Sequence, residues 1–555
     1  MGVGARPVWQ FGAFATSLSH ALVEVIAPLV QAHRQRLLPP VGGNQVMSNP
    51  ILVVGAGPVG LAVAGELARR DVSVRIVDAL AAPTTESRAI VVHARSLEML
   101  ERVGVLDEVV ASGIQATGVE IHASGRTLAR VALDIVDSPH PYSVLTAQTE
   151  TERILAENLA KHGVEVERGV SIVGLEQGAT GVRATLRGSS GHEKTVEASW
   201  LVGADGAHSS VRQLVGTALE GSFHGERFLM GDVHAEHDFD PRSMYTFFSA
   251  HDGPLMVFPM KGDRMRLIAQ IPTASTDEAS QEWLQRIADE RAAGRLRIHD
   301  SLWLTCFEIR HAQVPQYRHG RVLLAGDAAH IHSPAGGQGM NTGIQDAFNL
   351  GWKLAAAYRG TASETLIDSY HAERHPVAAR VIEFSTRLTH LSTLANPVAQ
   401  TLRNAVLHTA TGIGPARRAL ADETEETTLS YHGSPAVVES TANAKVRSGE
   451  QLPDVAGTKL RRVLSEETGH VLVTLGPLPA VPELPGVRQV LMADTDAAVA
   501  GFDTVVADSE RRAAARFGLS LGRIMVRPDG YIGAIAVGDD ERPTTAYREL
   551  TAVVG

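Results

Sequence analysis

The sequence predicts an α/β protein in three parts: a parallel-sheet unit, an inserted unit of antiparallel strands, and a smaller β/α unit at the C-terminal end. Three observations carry this. Ile51-Leu52-Val53-Val54 is a short β-branched run that enters glycines, followed by a helical stretch (Val59 to Arg70) and a second strand (Val72 to Val77) closing on Asp78. Such a run, buried on both faces, is the signature of a parallel strand in a βαβ unit. Between Phe223 and Ile309 the texture changes to runs such as Met244-Tyr245-Thr246-Phe247-Phe248 and Leu255-Met256-Val257-Phe258-Pro259, which read as antiparallel strands. After a polar stretch at 421–446, residues 450–555 repeat a β/α texture on a smaller scale.

Composition narrows the function. The chain has 555 residues, 51 Lys+Arg against 62 Asp+Glu, and a net charge of -11. These charges form no long blocks, which argues against nucleic acid and anionic membrane as main partners. Cys306 is the single cysteine, so a disulfide framework, a CxxC redox pair and a thiolate zinc site are excluded, in keeping with a cytoplasmic protein. The apolar stretch Ala21 to Ala32 is interrupted by Glu24 and Pro28 and falls short of the ~20 residues a spanning helix needs. Residues 1–46 read either as an amphipathic extension or as sequence upstream of a start at Met47.

The remaining elements follow in order. A helix spans Ser96 to Glu101, short strands fill 117–145, and Thr149 to His162 returns to a helical period. Val164 to Val202 reads as strands and turns, Glu278 to Ala293 as a helix, and Arg321 to Ala325 as another buried strand. A long helix starts near Asn341, and helices fill most of 363–420.

Gly55-Ala56-Gly57-Pro58-Val59-Gly60 is GxGxxG placed between strand and helix. In that motif Gly55 makes the turn, Gly57 lets the backbone approach a pyrophosphate, and Gly60 permits close helix–strand packing. The helix N-terminus offers free N–H groups to phosphate. Asp78, at the end of the second strand, is placed to accept ribose hydroxyls. Two further strands end in an acid and a glycine: Ala204-Asp205-Gly206 and Ala325-Gly326-Asp327. The second continues into Pro334-Ala335-Gly336-Gly337-Gln338-Gly339-Met340-Asn341. Three such strand ends can converge on one extended ligand.

Together these segments resemble the group A flavoprotein monooxygenases, the aromatic hydroxylases that include p-hydroxybenzoate, phenol and polyketide hydroxylases. Smaller matches are Ser87-Arg88-Ala89 with Arg95-Ser96-Leu97-Glu98, Gln148 with Glu152-Arg153, and Tyr370-His371-Ala372-Glu373-Arg374-His375-Pro376. The resemblance implies a Rossmann-like FAD-binding domain over 49–222 and 321–400, an inserted antiparallel-sheet substrate domain over 223–320, a helical linker over 401–446 and a thioredoxin-like domain over 447–555. It implies FAD as cofactor and NADPH or NADH as co-substrate. The cofactor would be held by Gly55, Gly57, Pro58, Gly60, Asp78, Arg88, Gln148, Asp205, Gly326, Asp327, Pro334, Gly337, Gly339, Met340 and Asn341. It also implies O2, a small aromatic or polycyclic substrate, a C4a-hydroperoxyflavin as oxygen donor, and a possible homodimer. Because the three cofactor motifs precede Ile344, the C-terminal unit is expected to be dispensable for holding FAD.

Tyr245, Phe247, Phe258 and Pro259 are candidates to roof the substrate pocket, with ordinary sheet core as the competing reading. His330 with His332, and His371 with His375, have ligand-like spacing, yet both pairs lie inside flavoprotein motifs, and no metal is expected. Arg88 can pair with a phosphate or with Glu86. No catalytic base stands out: where phenol hydroxylases carry an acid, this chain has Ile90. A Baeyer–Villiger oxygenase on the same scaffold and a flavin-binding interaction or sensor protein remain the alternatives.

Overall fold

The computed structural model describes residues 49–551, apart from 86, 124, 223–225, 250–252, 274, 276–277, 309, 335, 393, 395, 441–442 and 483. The expected extension at 1–46, and Glu86, lie outside the described residues.

A six-stranded sheet organises the first part, in the order Arg318–His319, Val322–Leu324, Leu201–Gly203, Ile51–Val54, Val74–Asp78, Val166–Arg168. Five strands run parallel, and only the Arg318–His319 edge is antiparallel. In register, Val202 and Ile76 flank Val53 and Leu323 flanks Val202, all four without exposed surface. Parallel pairing has a direct consequence: Gly55, Asp78, Ala204-Asp205 and Ala325-Gly326 all leave the sheet at its carboxyl edge, where ligands bind in open α/β sheets. Helix α1 (Pro58–Ala68) follows the glycine turn. Further along come α2 (Ala94–Arg102), α3 (Gln148–Lys161) and the short α4 (Ser210–Leu214).

The inserted sheet has seven strands, in the order Leu296–Glu308, Arg227–His237, Arg264–Ile271, Pro254–Pro259, Ser243–Phe248, Gly118–Ala123, Arg126–Ala132. The expected boundary at 223 therefore needs correcting. Gly118–Ala123 pairs in parallel with Ser243–Phe248, so residues 118–132 belong to this sheet although they lie within the first segment of the cofactor domain. Helix α5 (Gln281–Arg291) covers one face, packing Leu284, Ile287 and Ala288 into one cluster with Leu229, Tyr245, Phe247 and Val257. The other face, with Phe228, Met230, Met244, Met256 and Phe258, clusters with Ile90, Val91 and Leu145 of the cofactor domain.

Helices α6 (Gly339–Tyr358) and α7 (Glu364–Ser392) then pack beneath the parallel sheet, followed by α8 (Pro397–Gly412) and α9 (Gly414–Thr424). Residues 425–437, expected as the end of a linker, instead return to the interior. Glu425, Glu426, Tyr431 and Ala436 are buried. Their partners on distant elements satisfy the polar atoms that composition alone assigns to solvent.

The C-terminal unit is a five-stranded sheet in the order Thr504–Ala507, Val487–Ala493, His470–Leu475, Gly522–Val526, Ile532–Val537, with the first three strands parallel and the last two antiparallel. It is joined to α6 and α7 through buried charges. Glu373 pairs with Arg527 at 2.7 Å and with Lys353 at 2.7 Å, and Arg527 pairs with Asp529 at 2.6 Å. Trp352 Nε1 donates to Asp529 at 3.2 Å. A dispensable tail is at odds with this junction, because removing it strips Glu373 of a guanidinium in a dry environment. Among the described residues no helix is long and apolar enough to cross a membrane.

Candidate active site

The three glycine-bearing strand ends meet at the carboxyl edge of the parallel sheet. At the first, a Cβ on Gly60 would overlap the Gly55 carbonyl oxygen, whereas one on Gly57 would meet nothing within 4 Å. Gly60 is thus required by packing, and Gly57 faces open space. Asp78 accepts the Ala56 amide at 2.6 Å and the Leu80 amide at 2.8 Å, so the acid both ends its strand and braces the glycine turn. Pro58 occupies the first turn of α1, where its missing N–H costs nothing.

Two helices point their N-termini here, α1 and α6. Neither has a side-chain cap, and neither carries an acid in its first turn. By contrast, Ser209 caps α4 and Ser280 caps α5. Uncapped N–H groups and an uncompensated positive dipole end suit an anionic ligand.

Asp327 lies in a 3-10 turn, Gly326–Ala328. Its side chain is open to solvent yet closely surrounded by protein, as at the floor of a recess. Crowding raises its pKa, opposed by the charges of His330 and Arg88. Arg88 is thereby brought toward Asp327 across more than two hundred residues of sequence. The Arg88 backbone is held from the inserted sheet, where buried Arg266 donates to its carbonyl at 3.1 Å. Gln148, at the start of α3, accepts the Ala89 amide at 3.0 Å and donates to Glu152 at 2.8 Å. Its amide is therefore engaged in holding the Arg88 segment.

Two further residues expected at the cofactor have their polar atoms committed elsewhere. Asp205 accepts the Ser210 and Val211 amides at 2.7 and 3.1 Å, capping α4, and burial raises its pKa. It borders the glycine turn through backbone, since a Cβ on Gly55 would lie 2.8 Å from the Asp205 Cα. Asn341 accepts the His93 amide at 2.9 Å and donates to the Val91 and Gly337 carbonyls at 2.9 and 2.8 Å. It pins the glycine loop between α2 and α6.

That loop runs from Pro334 to Gly339 and Met340, where α6 begins, two residues earlier than expected. Gly336 and Gly337 have φ of +93° and +68°, a left-handed pair that other residues adopt only at a cost. A Cβ on Gly337 would lie 3.2 Å from Val91.

Compared with known proteins, residues 48–385 match a family described as the FAD binding domain. The 6-methylpretetramide 4-monooxygenase of Streptomyces rimosus is 39% identical over 355 residues, covering 63% of each chain. A flavin-dependent monooxygenase of Mycobacteroides abscessus is 31% identical over 526 residues, 91% of this chain and 100% of that protein. Among solved structures, the OxyS anhydrotetracycline hydroxylase from Streptomyces rimosus superposes with a TM-score of 0.75 at 31% identity, over 91% of this chain and 99% of that one. The chain belongs to the FAD-binding domain family. It spans less than two thirds of the length of the first of these relatives.

FAD fits the residues present. The open side of Gly57 and the bare N-terminus of α1 suit its pyrophosphate, the recessed Asp327 its sugar-alcohol chain, and the glycine loop with the α6 N-terminus its flat ring. The substrate candidates divide by strand alternation. Phe258 lies on the face turned toward Ile90 and Val91, and so toward the glycine loop. Tyr245 and Phe247 are corrected to the opposite face, packed with Phe239 and α5. Alternation places Pro259 with them. Met230, Met244, Met256, Phe228 and Trp303 share the Phe258 cluster and were missed.

Also missed was the device behind the Gly326 turn. Asp346 on α6 accepts the Gly326 amide at 3.0 Å, contacts His330 Nε2 at 2.7 Å, and pairs with Arg374 at 2.7 Å. Burial would raise its pKa, but Arg374 and His330 outweigh it and hold the carboxyl below the ordinary value. His330 is thus occupied by Asp346. His371 and His375 meet Tyr317 edge-on and lie tilted to each other, with their ring centroids 4.8 Å apart. The only signal for Asp346 and Arg374 was the Tyr370–Pro376 motif, which places Arg374 without naming its partner.

Proposed function

We propose that this protein is an FAD-dependent, NAD(P)H-using monooxygenase that hydroxylates an aromatic, polycyclic substrate. The observation that carries the reading is a wall of Phe228, Met230, Met244, Met256 and Phe258 turned toward the segment that flanks the glycine loop. Methionine and aromatic side chains make an adaptable apolar surface suited to a broad, flat ring system. The monooxygenase and hydroxylase names of the relatives support the same class. When bound, FAD supplies hydride acceptance and O2 activation, with one oxygen atom going to the substrate and the other to water.

The chain's own residues bind, orient and exclude water. Gly57 and the α1 N-terminus would hold the pyrophosphate, Asp327 and Arg88 the neighbouring polar chain, and the loop 336–339 the ring. The wall keeps water from the reacting atoms, because hydration diverts O2 activation toward hydrogen peroxide. Ile90, where phenol hydroxylases carry an acid, is buried in the apolar cluster, so no carboxylate at that position takes a proton from the substrate. The reading therefore favours substrates that are already acidic. The C-terminal unit is proposed as a thioredoxin-like tail acting in structure, and the protein as cytoplasmic.

The test is turnover under isotope-labelled O2 across a panel of polycyclic phenols. The expected result is substrate-accelerated NAD(P)H oxidation and one labelled oxygen atom in the product. Product oxygen drawn from labelled water would overturn the reading, and a labelled lactone would move the enzyme to the Baeyer–Villiger class.

A further inference from the structure

His93 lies at the N-terminal boundary of α2 and is buried, as are Ser143, Asn341 and Glu425, while Gly336 is half-buried. Its Nε2 is 2.9 Å from the Gly336 carbonyl oxygen, and its Nδ1 is 3.0 Å from Ser143 Oγ. Ser143 in turn donates to Glu425 Oε1 at 2.6 Å, while Glu425 Oε2 accepts the Ala94 amide at 2.6 Å. Nδ1 stands 3.6 Å from Glu425 Oε1.

With Glu425 as the carboxylate that the Ala94 amide and the Ser143 hydroxyl both address, hydrogen accounting gives the charge of the ring. A carbonyl oxygen only accepts, so Nε2 carries a hydrogen. The single Ser143 hydrogen goes to Glu425, so the hydroxyl meets Nδ1 with a lone pair, and Nδ1 carries a hydrogen as well. A ring with both nitrogens protonated is an imidazolium. The groups facing it are Glu425 and Glu426 from the segment after α9, Ser143 from its strand, Asn341 from α6 and Gly336 from the loop. Burial works against the charged ring, but the two carboxylates and the Gly336 carbonyl outweigh it and hold its pKa above the ordinary value.

We propose that His93 is a buried imidazolium, held by Glu425 through Ser143 directly behind the glycine loop, and that its charge favours the reduced, negatively charged flavin. The inference rests on the placement of FAD in "Proposed function". His93 is a positioning and electrostatic residue that acts through the loop. A Cβ on Gly337 would stand 3.5 Å from its Nε2, so the charge lies one backbone layer behind the surface offered to the ring. In a water-poor interior such a fixed charge acts at longer range than at the surface. Because Glu425 comes from a segment far beyond the cofactor motifs, the chain after α9 takes part in setting flavin chemistry.

Two measurements test this. The first is nitrogen NMR of His93 in the unaltered protein at pH 7 to 8. Both ring nitrogens are expected at protonated shifts, and Glu425→Gln is expected to collapse one of them. A single unprotonated nitrogen in the unaltered protein would overturn the proposal. The second is the potential of bound FAD read against an indicator dye. His93→Gln keeps a donor for Gly336 but removes the charge. It is expected to lower the reduced-to-oxidised ratio about tenfold at fixed poise, ~30 mV for a two-electron couple. An unchanged ratio in a variant that still binds FAD would contradict the electrostatic role. A wild-type protein that takes up no FAD would instead refute the cofactor placement, with the NMR result still deciding the charge of His93.

Discussion

Two buried charge networks hang from adjacent residues of α7, and they serve different ends. Arg374 reaches Asp346, which holds the Gly326 amide and His330 and so braces a turn of the cofactor site. Glu373 reaches Lys353, Arg527 and, through Arg527, Asp529, and so seats the C-terminal unit. All these side chains are fully or almost fully buried. In the first network the chain of contacts ends on backbone beside a recess. In the second, two cations and two acids face one another across a junction, with Asn349, Trp352 and Ser434 supplying further hydrogen bonds. Burial of charge is common to both. The contacts at the far end decide whether a network shapes a site or fastens two parts together.

The comparison breaks most visibly at the junction. Arg527→Met leaves Glu373 and Asp529 without their guanidinium, and breaking a buried pair costs about 3–5 kcal/mol. Denaturant unfolding should show this loss, while the fraction that stays folded keeps its FAD affinity. A variant of unchanged stability would mean that the junction is not holding the unit.

A buried acid one hydrogen bond removed from the first network sharpens the contrast: Gln345, which donates to Glu426, also accepts from Arg374. Glu426 accepts from Thr342 and Gln345 and makes no ion pair among the described residues. Burial pushes its pKa up to about 7, from an ordinary 4.5. Between those values the folded chain binds a proton that the unfolded chain has lost, so stability falls as pH rises. The stabilisation is fully present below pH 4.5 and lost by about pH 7, roughly 3 kcal/mol in all. Glu426→Gln should flatten this part of the stability–pH curve, and an unchanged slope would show that Glu426 is ionised throughout.

Asp346→Asn addresses the first network: it leaves the buried Arg374 without its carboxylate, so stability falls here too, by about 3–5 kcal/mol, and FAD affinity is the quantity that separates the two networks. Losing the carboxylate behind Gly326 should weaken FAD binding roughly tenfold, the size of about one buried hydrogen bond to a charged group. Equilibrium FAD titration measures it. If Asp346→Asn and Arg527→Met altered FAD affinity equally, the division of labour between Glu373 and Arg374 would fall.

Much of the cofactor side was legible in the sequence because its signals are local. Gly55 to Gly60 sits between strand and helix, and parallel pairing alone brings Asp78, Asp205 and Asp327 to one edge. The faces of the inserted sheet were not legible. Both are buried, so Met244-Tyr245-Thr246-Phe247-Phe248 carries little polar alternation to mark which side meets the site. That is why Tyr245 and Phe247 were placed with Phe258, and why Met244 and Met256 were passed over. Residues 118–132 were assigned to the wrong unit because their partner strand lies more than a hundred residues away. Glu425 and Glu426 were hidden by composition. A Thr- and Glu-rich stretch reads as solvated until His93, Ser143, Thr342 and Gln345 are seen around it.

The central claim is that FAD lies across the strand ends with its pyrophosphate against Gly57. Gly57→Ala tests this most directly, because the added methyl group meets no protein atom within 4 Å and the backbone there, at φ -75°, suits alanine. The expected result is a wild-type protein that binds one FAD per chain and a variant whose affinity falls at least roughly tenfold, about 1.4 kcal/mol, with thermal unfolding of the apoprotein unchanged. A Gly57→Ala protein that binds FAD as tightly as wild type would contradict the account.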